Sequence, residues 1–586
     1  MAYEYITSQG VLVEKTLHEI AQYDRLGLDI ETRGFNPRRD DVLTVQLGNE
    51  ETQWVLDARK LELAPLFDLL SATKPLLIGH NIKYDLTFLL NNYGFRPKRL
   101  FDTMVAYGVI YNGVESPYVS LDALVRHYCG VELQKDVRDS FASTYGDLTD
   151  TQIKYSSEDV KYLIPIAEEQ SDELNRDSLL RTAGLEFRTI PVVVELENNG
   201  IRLDQDTWLQ VASDVALKAK EVEGELARVV GAKKLQESFF GDAVYDVNPR
   251  SPQQMLRAFN DLGVDISDTR ESTLSKLDHP LAKVLLKYRK LSKVASTYGK
   301  NFLKFIENDG RIHATFNQLG AQTGRFSSSK PNMQNIPGDV AHRSCFVCDE
   351  GNMVITADFS QIELKLAAVL SGEPEMLAEY KKPKADLHAL TGSKIFRVSL
   401  EELQPWQRQI GKHCNFGILY NISKYGMWRK WNIPLEDGER YIQGFRESYP
   451  VLTAFMSGQS DVAIRNGFNT TKLGRRRYYS IPPLTVEDYF KRMSHIRRES
   501  SNFPIQGGAA DIMKLSLINV CDRIPEVGGR LINTVHDELV VEVPKDQVSI
   551  AVPIIYSSME DAGRELAGDE LVWKVGLEVG KCWMKA

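Results

Sequence analysis

Short apolar runs dominate the first 180 positions. LGLDIE, VLTVQLG and PLLIGH fill brief stretches with aliphatic and β-branched residues, the pattern of strands. LTFLLNNYG and SSEDVKYLIPIAEEQ place their apolar residues at helical spacing instead, so residues 1–180 are expected to form an α/β domain. From Arg181 to Lys304 the period is helical, in long amphipathic stretches such as DVALKAKEVEGELARVV and HPLAKVLLKYRKLSKVASTYGKNFLKFIE. Beyond residue 311 strands and helices mix, with no internal repeat and no low-complexity segment. Near the C-terminus, RLINTVHDELVVEV (530–543) interrupts a strand-favouring run at His536, Asp537 and Glu538. That interruption suits an ordinary hairpin turn, and equally a rigid tip that offers Asp537 to a cation. One acid rarely holds a divalent ion, so the second reading needs a partner.

At 586 residues the chain exceeds a single core and suggests roughly three to five domain-sized units. Its 43% apolar and 26% charged residues are ordinary for globular protein. No stretch approaches the roughly 20 apolar residues of a membrane span, and MAYEYITSQGVLVEK lacks the blocks of a signal peptide. The expectation is an intracellular protein without membrane partners: cytoplasmic, in the host cytoplasm if viral, or in an organelle if the chain is a processed form. The net charge of −9 does not exclude nucleic acid, because local basic faces bind phosphate while clustered acids lower the total. Lys287, Arg289, Lys290, Lys293, Lys300 and Lys304 could form such a face or a merely solvated one. The six cysteines are scattered, which argues against a disulfide framework. Cys345 and Cys348 make a CxxC pair near His342, but no second pair completes a zinc site, and they read as buried free thiols.

In LGLDIETRG, Asp29 and Glu31 stand two apart on a strand, so both carboxylates leave one face. HNIKYDLTF offers Asn81 and Asp85, and YSSEDVKYL offers Tyr155 and Asp159, each pair at helical i, i+4 spacing. In this order the three segments resemble the DEDD superfamily of 3′→5′ exonucleases, in its tyrosine-bearing branch. The resemblance implies that Asp29, Glu31, Asp85 and Asp159 hold two Mg²⁺ or Mn²⁺ ions and that Tyr155 orients the attacking water.

NMVITADFSQIELKLAAVLSG (352–372) begins as a strand and becomes a helix after Asp358. Ser360 and Glu363 have capping-box spacing, so Glu363 could serve only to start that helix. In PWQRQIGKHCNFGILYNISKYG, Pro405 can open a helix on which Arg408, Lys412, Phe416 and Tyr420 recur every four residues. Cations followed by aromatics along one face suit a nucleoside triphosphate.

VITADFSQIEL, the Arg408-to-Tyr420 stripe and TVHDE resemble, in order, motifs A, B and C of family A DNA polymerases, the group of bacterial DNA polymerase I. TGRFSSSKPNMQNIP, DLHAL and NFPIQGGAADIMK match further segments of that family. The resemblance implies an α/β exonuclease domain with a mixed, ribonuclease H-like sheet over 1–180. A right-hand polymerase domain over 181–586 would follow, with an α+β palm and helical thumb and fingers. The thumb falls at about 190–310, the palm at about 311–390 and 505–586, and the fingers at about 391–504. Asp358 and Asp537 would bind two Mg²⁺ ions, with Mn²⁺ able to substitute, and Glu538 would assist. Arg408, Lys412 and His388 would hold the triphosphate, Lys412 also protonating the pyrophosphate. Gln361, Phe416 and Tyr420 would complete the nucleotide site, and Glu363 would exclude ribonucleotides. Arg325, Asn332, Gln334, Asn335, Arg498, Asn502, Gln506 and His536 would line the primer–template minor groove, whose acceptors are common to all Watson–Crick pairs.

The implied activity is template-directed DNA synthesis with proofreading, acting on primer–template DNA and dNTPs, in a monomer. Replisome partners such as a helicase or a single-strand-binding protein cannot be identified from the sequence. Two positions depart from the family pattern: Asn421 stands where a glycine usually follows the motif B tyrosine, and Lys365 replaces an arginine. The chain starts directly at the exonuclease, without a 5′ nuclease domain, and has no large insertion between Gly200 and Arg325. That layout suggests a phage or organelle replicase. The rival reading is a 3′→5′ exonuclease whose C-terminal part only binds nucleic acid; intact Asp358, Asp537, Arg408 and Lys412 argue against it. Glu363 and the proofreading segment argue against a single-subunit RNA polymerase.

Overall fold

The computed structural model describes residues 2–133, 137–237 and 243–585. Its N-terminal unit is built on a six-stranded mixed sheet of β1 (Ala2–Ile6), β2 (Arg25–Thr32), β3 (Val42–Gly48), β4 (Thr52–Asp57), β5 (Leu76–Gly79) and β6 (Leu100–Asp102), in the order β1-β4-β3-β2-β5-β6. β2 pairs antiparallel with β3 and parallel with β5. All seven residues of β3 are buried, and its two polar ones pair with each other, Gln46 Nε2 donating to Thr44 Oγ1 at 2.7 Å. The helical run around Tyr155 is not one helix: Asp150–Lys161 ends at Tyr162 and Leu163–Arg176 follows. Pro165 sits in the first turn of the second helix, where its missing N–H is tolerated, and could not have continued the first.

The long basic stretch is likewise divided. Its helix covers Pro280–Thr297, and Lys300–Phe305 is a separate 3₁₀ turn. Gly299 breaks the run, and Phe302 drops into the core to stack on Trp208, ring centroids 4.6 Å apart.

A four-stranded antiparallel sheet organises the C-terminal half. Strand Asn352–Phe359 lies between Glu538–Pro544 and Val575–Gly580, and Arg530–Val535 forms the edge. The 35-residue helix Tyr489–Arg523 packs on Val548–Ala567 and on Leu180–Asn199, and the latter also packs on the helices Lys83–Tyr93 and Thr103–Ile110 of the first unit. Where these elements meet, Glu186 accepts from Arg475 Nη2 and Lys514 Nζ, both at 2.5 Å, and from Gln318 Nε2 at 2.7 Å. Asp511 closes the buried quartet through Arg475 Nε at 2.7 Å. The units also join through Lys83–Glu197 (2.6 Å) and Arg38–Glu307 (3.0 Å). Tyr478 N donates to Asn112 O at 2.9 Å, and the neighbouring Gly113 has φ +97 and no room for a Cβ beside the Tyr478 carbonyl. Among the described residues no helix is long and apolar enough to cross a membrane.

Candidate active sites

The first site grows from β2. Period-two alternation sends Asp29 and Glu31 to one face, and helix Asp150–Lys161 packs across that sheet. A capping box between Thr149 and Gln152 sets the start of this helix, and Tyr155 and Asp159 then follow on one side. Carboxylate oxygens of Asp29, Glu31 and Asp159 lie within 4.8 Å of one another. Asp85 stands at their edge: it is 3% exposed, and its Oδ1 accepts from Ile30 N at 3.2 Å. Burial, and then the charge of Asp29, push the Asp85 carboxyl well above the ordinary range. Asn81 is not on the helix with Asp85 as expected. It precedes Lys83–Tyr93 in a left-handed turn (φ +54), and the buried Asp102 carboxylate accepts from the amides of Asn81 and Ile82 at 3.1 and 2.8 Å.

The second site answers the question raised by HDE. Val535 and Glu538 close a hairpin whose two-residue tip is His536 and Asp537, and His536 adopts φ +55. The segment is therefore a turn and an acid-bearing tip at once. The neighbouring strand Asn352–Phe359 ends beside it: Phe359 N donates to Asp537 O at 3.2 Å, and Asp358 pairs with Glu538. Burial, then the charges of Asp537 and Glu538, raise Asp358 to about 6. Asp537 also rises to about 6, through burial, against the opposing pull of Arg325 at 3.8 Å. Both sites thus concentrate hard oxygen donors whose mutual repulsion a divalent cation would relieve, so the residues fit such an ion. Both oxygens of Glu538 are already engaged: Arg343 Nη1 donates to Oε2 at 2.9 Å and to Oε1 at 3.3 Å, and Trp583 Nε1 donates to Oε1 at 2.6 Å.

The capping-box reading of Glu363 is overturned. Helix Ile362–Ser371 starts from Gln361 in the left-handed region (φ +59) without a side-chain cap, and Ser360 N is drawn to Lys574 O. The Glu363 carboxylate instead accepts from Arg325 Nη2 at 2.5 Å and from the Tyr420 hydroxyl at 2.8 and 3.0 Å. Gln361 accepts from the Tyr380 hydroxyl at 2.9 Å.

Helix Pro405–Leu419 carries Arg408, Lys412 and Phe416, while Tyr420 caps its C-terminal end. Arg408 and Lys412 are exposed, and Arg408 Nε donates to Asp386 Oδ2 at 2.8 Å. His388 sits behind Phe416, ring centroids 5.5 Å apart, and bonds Asn415 at 2.9 Å. Burial lowers His388 to about 4, so it is neutral at physiological pH. Asn421 has φ +50, a conformation that glycine or asparagine adopts, which accounts for the residue at that position. Lys365 is buried and donates to Val572 O at 3.0 Å.

A cleft of about 1580 Å³ is lined by Arg325, Tyr420, Arg498, Asn502 and Gln506. A small neighbouring recess is lined by Arg325, Gln334, His536 and Asp537, so Arg325 borders both. Asn502 is 3% exposed, and neither polar atom of its amide has a partner within the protein. Asn332 and Asn335 do not line these clefts: Asn332 caps the 3₁₀ turn Met333–Asn335, and the Asn335 carbonyl accepts from the Tyr298 hydroxyl. Cys345 is buried and Cys348 half-buried, both as free thiols.

The sequence profile of DNA polymerase family A matches residues 218–585, and that of a 3′-5′ exonuclease matches residues 3–175. The chain is 31% identical to DNA polymerase I of Aquifex aeolicus over 630 aligned positions, which span the whole of both. It is 34% identical to the thermostable DNA polymerase I of Thermus thermophilus over 67% of this chain and 47% of the relative. With DNA polymerase I of Borreliella burgdorferi the identity is 31%, over 88% of this chain and 56% of the relative. The chain therefore spans about half the length of the last two. Among solved structures it resembles the POL domain of Pol1 from M. smegmatis in complex with DNA primer-template and dNTP. The TM-score there is 0.84 at 26% identity, covering 99% of each chain. The chain belongs to DNA polymerase family A and carries a 3′-5′ exonuclease domain ahead of its polymerase region. Nothing in these likenesses supports the phage or organelle source expected from the layout.

Proposed function

We propose that this protein extends a primer along a DNA template with dNTPs and removes mismatched 3′ termini at a second site. The observation that carries the reading is the presence of two separate carboxylate groups in one chain. One lies at the tip of an antiparallel hairpin beside an arginine-bordered cleft, the other on a mixed sheet. Divalent cations, Mg²⁺ or Mn²⁺, bound by Asp358 and Asp537 in one site and by Asp29, Glu31, Asp85 and Asp159 in the other, supply the positive charge that activates an attacking oxygen and offsets charge on the leaving one.

The remaining work falls to the chain. In synthesis Arg408 and Lys412, exposed on successive turns of one helix face, take the triphosphate, and Lys412 hands a proton to the departing pyrophosphate. Neutral His388 donates to a phosphate oxygen and backs Phe416. Tyr420, Phe416 and Gln361 bound the base and sugar, and Glu363 closes the space at the sugar's 2′ position. Arg325, Gln334, Arg498, Asn502, Gln506 and His536 meet the minor groove, where donors check pair geometry without reading sequence. In removal, Tyr155, one helical turn before Asp159, orients the attacking water.

We assign the thumb to about 190–310, the palm to about 311–390 and 505–586, and the fingers to about 391–504. Primer extension on a defined template, with each dNTP and rNTP and with and without Mg²⁺, tests synthesis, degradation and sugar choice together. Degradation without any extension would overturn the polymerase reading and leave a nuclease with a DNA-binding region.

A further inference from the structure

Glu538 follows Asp537 in the chain and pairs across the sheet with Asp358. Side chains of opposed residues leave one face of a sheet with Cβ atoms roughly 4.5–5.5 Å apart, and like charges placed so repel. The fold meets this crowding with its last residues. Trp583 Nε1 donates to Glu538 Oε1 at 2.6 Å, and Arg343 Nη1 donates to Oε2 at 2.9 Å. The Arg343 guanidinium carbon stands 4.4 Å over the Trp583 ring, so one residue holds the other against the carboxylate.

Trp583 is itself pinned, at 1% exposure. Its amide donates to Phe346 O at 2.8 Å, and Cys348 N donates to Lys581 O at 3.1 Å. Cys582 forms a bridge with Val347, and the Trp583 and Phe346 rings meet edge to face at 5.5 Å. Residues 581–583 are thus strapped along Phe346–Cys348, and the strap ends on the carboxylate beside the proposed reaction centre.

We propose that this strap is a positioning element of the nucleotidyl-transfer site: Trp583 and Arg343 tie Glu538 back, so that the hairpin tip presents Asp537, and not Glu538, beside Asp358. The inference rests on the polymerase reading. Trp583 touches no substrate in this scheme; it acts through Glu538. Removing its N–H leaves Oε1 with only the longer contact to Arg343 Nη1 at 3.3 Å, so the carboxylate is held less firmly away from Asp358 and Asp537 and disturbs the pair that must share a cation. The nucleotide contacts of Arg408 and Lys412 lie elsewhere and are untouched.

The test is Trp583→Phe in the full chain, which keeps an aromatic ring under Arg343 and removes the indole N–H together with the five-membered ring; slowing from the small cavity alone would persist when Glu538 is also replaced by Gln. Single-turnover addition of one dNTP should slow about ten-fold, with the KM for dNTP changed less than about two-fold and degradation of single-stranded DNA unchanged. In a Glu538→Gln background the same substitution should slow addition no further, because the charge it restrains is gone. An unchanged addition rate in Trp583→Phe, equal loss of both activities, or slowing that persists undiminished in the Glu538→Gln background would each overturn the inference. The parent chain, run alongside, keeps the two readings apart: its failure to extend a primer counts against the polymerase reading, whereas the variant-to-parent ratio judges the strap.

Discussion

Replacing Glu363 by alanine separates the sugar-gate reading from a structural one. The carboxylate is 6% exposed and accepts from both Arg325 and Tyr420. A 2′-hydroxyl entering beside it must displace it from at least one of these donors. A hydrogen bond to a charged group is worth about 1.5–3 kcal/mol, which corresponds to roughly 10–150-fold in relative efficiency. Glu363→Ala should raise the rNTP-to-dNTP efficiency ratio by that factor, whereas Glu363→Gln, which keeps the bulk, should retain most of the discrimination. No helix-cap penalty is expected, because the helix start does not use this side chain. The stability cost should come from Arg325, left with Asp537 at 3.8 Å, and amount to about 1–3 kcal/mol. Single-nucleotide insertion with matched rNTP and dNTP, run beside a melting curve, measures both quantities. A ratio unchanged within two-fold in a folded Glu363→Ala protein would refute the reasoning and remove Glu363 from the sugar pocket.

Asp537→Ala should abolish addition and spare degradation, while Asp29→Ala with Glu31→Ala should do the reverse; loss of both activities in either folded variant would contradict two independent sites. Phe416→Tyr should favour dideoxynucleotides by tens-fold, because a phenol hydroxyl replaces the contact that the missing 3′-OH would make; terminator incorporation at matched dNTP measures it. Glu542 supplies a pH test. Burial alone would raise its carboxyl, but Asn352, Arg311 and the Asp349 amide hold it down to about 2. A depressed folded value stabilises above the unfolded value near 4.5 and is lost as pH falls toward 2, so Glu542→Gln should cost on the order of 3 kcal/mol at pH 7 and progressively less below pH 4.5, read from denaturation midpoints.

Much of both sites was legible because local periodicity turns spacing into geometry. Two residues on a strand share a face, which brought Asp29 and Glu31 together; four on a helix share a side, which aligned Tyr155 with Asp159. The HDE tip followed from strand-favouring flanks. What stayed hidden depended on partners far away in the chain. Asn81 leaves the helix because Asp102, 21 residues on, captures its amide. No capping box forms because Lys574 O takes the Ser360 N–H that Glu363 would have accepted from, and Glu363 is turned by Arg325 and Tyr420. Trp583 carried no signal at all, since nothing local marks a C-terminal tryptophan as the neighbour of Glu538. The positive φ of Asn421 had a trace in the family glycine it replaces, but reading it required the backbone.

The buried quartet of Glu186, Arg475, Lys514 and Asp511 sits where the helix shared by both units meets the helix that carries Gln506. Beside it, Lys83–Glu197, Arg38–Glu307 and the hydrogen bond from Tyr478 N to Asn112 O tie the first unit down, and rotating one unit against the other would break them together. The span between the two carboxylate sites therefore behaves as a constant of the molecule. On the proposed reading, a growing strand would have to cover that span itself, by melting a few terminal pairs and swinging across. Whether an end is lengthened or trimmed then becomes a race between the next addition and the fraying of the last pairs. A mismatch, which frays sooner, would lose that race, and the stability of the DNA would set the timing of error correction.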